Sequence, residues 1–128
     1  MKLLLDTHVL LWWVENSKKL PTKARALLSD VNNVAYYSAC SIWEVAIKLS
    51  TGTYDLLVDP AMLSAALNSG GFIELPILSA HAAKLPELPA HHRDPFDRML
   101  IAQSLVEQLA LVTHDKMLTN YSDTVVLV

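Results

Sequence analysis

The residues best suited to chemistry in this chain are acids and hydroxyls placed at the ends of apolar runs. Asp6 and Thr7 follow Leu3-Leu4-Leu5, Ser38 closes Val34-Ala35-Tyr36-Tyr37, and Thr113-His114-Asp115 follows Ala110-Leu111-Val112. Short unbroken apolar runs read as strands buried on both faces, as in a parallel sheet under helices. Right-handed crossovers put the ends of such strands on one edge of the sheet, where open α/β sheets bind their ligands. Two carboxylates and several hydroxyls would then converge there. A second reading stands beside it, in which Asp6 or Thr7 caps the next helix.

Other acids fall near the same edge. Glu44 lies about one turn into the helix after the second strand and can reach inward. It also precedes Lys48 by four residues, the spacing of an ordinary helix-surface pair. Asp94-Pro95 has the form of a helix start, with Asp at the cap and Pro at the first position, and Asp97 complements the helix dipole. On a helical wheel Asp97 shares a face with Ile101, Ser104 and Gln108. That helix is apolar almost all round, and a buried carboxylate needs a partner or a cation. The helix leading into the fourth strand is expected to start at the opposite edge unless the preceding loop repositions it. Spacing therefore leaves the direction of Asp94 and Asp97 undecided.

The elements that must position these residues alternate. Strands are expected at 3–5, 34–38, 72–75, 110–113 and 125–128, and helices at 9–14, 22–30, 39–49, 60–68, 79–85 and from 94 past 106, with a short one ending near 120. A turn at 51–55 and an extended piece at 56–58 separate the third and fourth helices. In the helix over 39–49, Ala39, Ile42, Trp43, Ala46 and Ile47 form one stripe at helical spacing. Alternation of strands and helices makes this α/β, with a mainly parallel sheet of four to five strands. Residues 1–128 read as a single domain.

Composition narrows the class. Apolar residues make up 52 %, yet no run approaches the roughly 20 needed to span a bilayer. The opening Met-Lys-Leu-Leu-Leu is too short for a signal-peptide core. Cys40 is the only cysteine, which excludes disulfides within the chain and thiolate zinc sites. The expectation is a cytoplasmic protein that does not enter membranes. Ten basic and thirteen acidic residues give a net charge of -3, which argues against nucleic-acid binding by bulk electrostatics. Lys18, Lys19, Lys23 and Arg25 cluster around the second helix, where a solvated surface is the default reading. Nucleic-acid chemistry would need a metal to invert the local sign.

Four segments taken in order carry a resemblance. Leu-Leu-Asp-Thr-His at 4–8, Ser-Ile-Trp-Glu at 41–44, His-Arg-Asp-Pro-Phe-Asp-Arg at 92–98 and Val-Thr-His-Asp at 112–115 resemble PIN domains, and most closely the bacterial VapC-type toxins of toxin–antitoxin pairs. The match spans essentially the whole chain. It implies a three-layer α/β/α sandwich and an Mg²⁺- or Mn²⁺-dependent endoribonuclease. The family's four metal-binding acids map onto Asp6, Glu44, Asp97 and Asp115. Asp94 matches the extra acid of the Asp-Pro-Phe-Asp subgroup, and the resemblance implies that the Asp97 end reaches the pocket. A homodimer and a small antitoxin that occludes the pocket are implied as partners.

Around these acids, Thr7, Ser38 and Thr113 are expected to hydrogen-bond the ligands. His8, His91, His92, Arg93, Arg98 and His114 are candidates for contacts with phosphate, with a solvated loop or a structural role as the plainer reading; His81 is expected to be uninvolved. Three rivals remain. A metallophosphoesterase shares the opening Asp-x-His but lacks the glycine-aspartate and asparagine-histidine elements. A phospho-acceptor receiver needs paired acids after the first strand and a lysine after the last, which Val125 to Val128 do not supply. A catalytically degenerate PIN-fold binding module is the alternative hardest to separate.

Overall fold

A computed structural model describes residues 1–52 and 58–128. The turn and extended piece expected over 51–58 fall mostly on residues 53–57, outside the described residues. Among the described residues five strands form one sheet: β1 (Lys2–Leu5), β2 (Val34–Ser38), β3 (Ile73–Leu75), β4 (Ala110–Thr113) and β5 (Val126–Leu127). The order is β3-β2-β1-β4-β5, and every pairing is parallel. The α-helices described between them are α1 (Thr7–Val14), α2 (Thr22–Ser29), α3 (Ala39–Ser50), α4 (Pro60–Ser69), α5 (Ser79–Lys84) and α6 (Pro95–Glu107).

β1 takes the centre because its three leucines can be buried on both sides. Leu4 pairs with Tyr36 on one side and Leu111 on the other. Leu3 and Leu5 face one core with Val9, Leu10, Leu63 and Leu67, while Leu4 faces a second core with Leu100, Ile101 and Leu111. This alternation follows from the two-residue period of a strand, and it produces three layers, helices on either face of the sheet. Each fully buried leucine contributes about 1.5–3 kcal/mol. Among the described residues no helix is long and apolar enough to cross a membrane.

Local chemistry sets the helix starts. Asp59 Oδ1 accepts from the N–H groups of Ala61 and Met62 ahead of Pro60, as an Asp-Pro helix start requires. Asp94 does the same for α6, accepting from Phe96 and Asp97.

Two expectations are corrected here. The stripe of Ala39, Ile42, Trp43, Ala46 and Ile47 is only partly the buried face of α3: Ile42 packs against the core, whereas Trp43 and Ile47 are exposed. Cys40, Ser41, Glu44 and Val45 point inward, and Trp43 is 56 % exposed with its ring edge-on to Phe96. Apolar period alone misplaced the face because Ser41 and Glu44 find polar partners inside. The second correction concerns α6. Because it must deliver the chain to the amino end of β4, it starts at the carboxyl edge and runs back. Asp94 and Asp97 therefore lie at the same edge as Asp6, with no repositioning by the loop needed.

Candidate metal centre at the carboxyl edge of the sheet

One cleft at that edge is lined by five acids, Asp6, Glu44, Asp94, Asp97 and Asp115. They arrive from β1, α3, the start of α6 and the end of β4. Asp6 takes the capping role that its sequence position allowed and also lines the cleft. Its Oδ1 accepts from Val9 N at 2.9 Å and caps α1, while Oδ2 accepts from Thr113 Oγ1. Burial pushes the Asp6 carboxyl above the usual carboxylate range, opposed in part by the Thr113 and Val9 hydrogen bonds.

Glu44 is 3 % exposed, so it is not part of an ordinary surface pair. Thr7 Oγ1 donates to its Oε1 at 2.7 Å, Ser41 Oγ lies 2.9 Å from the same hydroxyl, and Lys48 Nζ reaches Oε2 at 2.7 Å. Asp97 is also shifted. Burial first, then the charges of Asp94 and Asp6, push its carboxyl up to about 7, and His92 opposes them. Burial and the same acidic surroundings raise the Cys40 thiol to about 12, which keeps it protonated and unreactive. Asp115 uses Oδ1 to accept from Met117 N and turns Oδ2 toward His92.

The remaining predicted residues divide. Thr113 bridges the site, donating to Asp6 while its Oγ1 accepts from Asp115 N at 3.0 Å. Ser38 is not brought to the acids: it caps α3 through Cys40 N and donates to the buried Gln103 Oε1 at 2.6 Å, tying α3 to α6. His8 and His114 line the rim on either side of Trp12, with ring centroids 6.0 and 5.6 Å from it. His114 Nδ1 also lies 2.7 Å from the carbonyl of Val128.

Arg98 does not line the cleft. Its guanidinium donates to the carbonyls of Pro89 and Leu85 and to Tyr121 Oη. Arg93 is exposed and lies outside the lining, and His91 stacks edge-on against Tyr121. His81 is buried, linking Leu78 N and Glu107. The i,i+4 spacing pointed to the Lys48–Glu44 contact, whereas sequence reasoning gave no role to Gln103 or Tyr121, whose partners lie on other elements and leave no local motif.

The donor set can be tested against a divalent cation. Among the described residues five carboxylates line one cleft, with Lys48 the single Lys or Arg along it. Burial first, and then the charge of its neighbours, makes the ionised form of Asp97 costly. Asp6 and Glu44 are fixed by hydroxyl donors and present carboxylate oxygens to the cleft. Hard oxygen donors of this kind suit Mg²⁺ or Mn²⁺, and a cation would relieve the repulsion that lifts Asp97. The residues fit.

The PIN domain family model matches residues 3–123. No curated protein matches the chain in sequence. Among solved structures, VapBC2 from Rickettsia felis bound to a DNA fragment from their promoter is similar with a TM-score of 0.68 at 12 % identity, covering 100 % of this chain and 98 % of that one. FitAcB from Neisseria gonorrhoeae gives 0.61 at 18 %, covering 98 % and 96 %. FitAB bound to an IR36 DNA fragment gives 0.57 at 17 %, covering 98 % and 93 %. At such identities these likenesses speak for the fold. The family model, spanning nearly the whole sequence, goes further: this chain belongs to the PIN domain family.

Proposed function

We propose that this PIN domain is a divalent-metal-dependent endoribonuclease and the toxin of a toxin–antitoxin pair. The observation that carries the reading is the convergence of Asp6, Glu44, Asp97 and Asp115, from four separate elements, on one cleft. The resemblance to VapC-type toxins supports the toxin assignment and the choice of RNA, and the VapBC2 and FitAB complexes share the fold.

In this reading Asp6, Glu44, Asp97 and Asp115 hold Mg²⁺ or Mn²⁺, with Asp94 nearby as the cap that aims α6. A bound divalent ion supplies Lewis-acid polarisation of a phosphate oxygen and makes a water more acidic. The chain supplies the rest. Thr7 and Thr113 fix the directions of Glu44 and Asp6, and Lys48 offsets one buried charge. Without a cation the cleft repels phosphate, in keeping with a chain of net charge -3. His8, Trp12 and His114 form the rim that a nucleotide would meet.

We read residues 1–128 as one such domain, acting in the cytoplasm as a homodimer and neutralised by a small antitoxin over the cleft. The exposed Trp43 and Ile47 on α3 offer apolar surface for a protein contact.

The test is cleavage of structured RNA by purified protein with Mg²⁺ or Mn²⁺, with and without EDTA. Cleavage should need the metal and be lost in D6N and D97N. Cleavage that survives EDTA, or persists in both variants, overturns the metal-nuclease reading. Loss of all cleavage under every condition, with the fold intact, leaves a binding module. Growth arrest on expression, relieved by the neighbouring gene's product, checks the toxin role separately.

A further inference from the structure

His92 stands apart from the acids just described, yet its ring contacts two of them. Nε2 lies 3.0 Å from Asp115 Oδ2 and 3.3 Å from Asp97 Oδ2. The histidine and the two aspartates thus offer three donor atoms within 4.8 Å of one another. Taken as a list of atoms, that is a nitrogen-and-oxygen metal site.

The other ring nitrogen argues against it. The backbone N–H of Asp94 donates to His92 Nδ1 at 3.0 Å. A nitrogen that accepts a hydrogen bond presents a lone pair, so the single proton of the neutral imidazole sits on Nε2. Nε2 is then a donor to Asp115 and has no lone pair to give a cation. Histidines that bind metals show the reverse, with the second ring nitrogen donating its N–H to a carboxylate or carbonyl.

The ring is also braced from behind. The backbone N–H of His92 donates to Tyr121 Oη at 2.8 Å, and Arg98 Nη1 reaches the same oxygen at 3.4 Å. The Asp94 N–H is itself held in place because the Asp94 side chain caps α6. Two carboxylates on different elements repel, and the Nε2 proton is aimed at the side where they meet. Asp115 needs this most, since its side chain is 39 % exposed.

We infer that His92 is a positioning residue whose Nε2–H holds Asp115 beside Asp97, and that it is not a metal ligand. The role rests on the proposed metal-dependent reading; the tautomer does not.

The tautomer is read in metal-free protein by long-range ¹⁵N–¹H correlation spectra above the usual histidine titration range, with H92Q assigning the resonances. The proton should be on Nε2; a proton on Nδ1 overturns the inference. Pulsed electron paramagnetic resonance of the Mn²⁺-loaded protein should show no directly bound imidazole nitrogen. A nitrogen coupling present in wild type and lost in H92Q overturns it too. In Mn²⁺ titrations H92Q, which keeps an N–H donor, should stay close to wild type, whereas H92A should lose about tenfold or more, the usual effect of removing a partner behind a ligand. Equal loss in both variants overturns the positioning role. Wild-type protein that binds no Mn²⁺ overturns the functional reading and the positioning role with it, and the metal-free tautomer distinguishes that failure from an error about His92 itself.

Discussion

Thr7 Oγ1 donates to Glu44 Oε1 across 2.7 Å, joining the first residue of α1 to the second turn of α3. Lys48 takes the other carboxylate oxygen at the same distance. Both oxygens of a nearly buried acid are thereby directed by residues whose own positions follow from β1 and from the helix period. The cleft is aimed before anything binds in it.

Replacing Thr7 by valine keeps its shape and removes the hydroxyl. A buried charged group that loses a hydrogen bond costs about 1–3 kcal/mol, so T7V should lower the urea midpoint by a corresponding amount. T7S retains the donor and should stay within about 1 kcal/mol of wild type. Should T7V unfold at the wild-type midpoint, the bond does not hold Glu44. In the nuclease reading T7V also lowers kcat more than it weakens RNA binding, because the lost contact orients an acid and touches no substrate.

Asp97 predicts a pH dependence of stability. Its carboxyl lies at about 7 in the folded chain against 3.8 ordinarily, burial being the first cause. A raised acid favours folding while protonated, so its contribution is fully present below about pH 4 and is lost as pH rises through 7. Metal-free protein should thus be less stable at pH 8 than at pH 5 on account of this group, by on the order of 2–4 kcal/mol. The burial of Asp6 acts in the same direction. Urea unfolding in EDTA at the two pH values measures the difference, which should shrink in D97N. Mg²⁺ added at pH 8 should restore much of the wild-type loss. A wild-type protein whose stability is flat between pH 5 and 8, with D97N no different, removes the electrostatic account of the cleft.

What could be read from sequence had local causes. The β1 leucines, the apolar run of β4 and the Asp59-Pro60 and Asp94-Pro95 starts each carry their own signal, and all are found where that signal places them. The inward face of α3 was not legible, because Ser41 and Glu44 become acceptable inside only through Thr7, more than thirty residues earlier. Cap and cleft are not alternatives for Asp6: Oδ1 caps α1 while Oδ2 accepts from Thr113. The edge reached by Asp97 depends on which way the crossover helix runs, a property of strand order. Ser38 pairs with Gln103, 65 residues away, and no spacing rule points there. Residues at strand ends were therefore easier to place than the loop and helix groups that complete the cleft.

Arg98 supplies the last prediction, because sequence and structure give it different work. As a phosphate contact it would contribute to the salt dependence of RNA binding, and its removal would lower that slope by about one. In the fold its guanidinium is spent on Pro89 O at 3.0 Å, Leu85 O at 3.2 Å and Tyr121 Oη at 3.4 Å. It fastens the segment that carries His92 to the side of α6. R98Q should therefore destabilise the chain by about 1–3 kcal/mol, through carbonyls that lose a charged donor. The slope of RNA affinity against salt should stay unchanged. Binding titrations across a salt series, on wild type and R98Q, separate the two roles: a slope reduced by about one with stability intact would return Arg98 to the substrate.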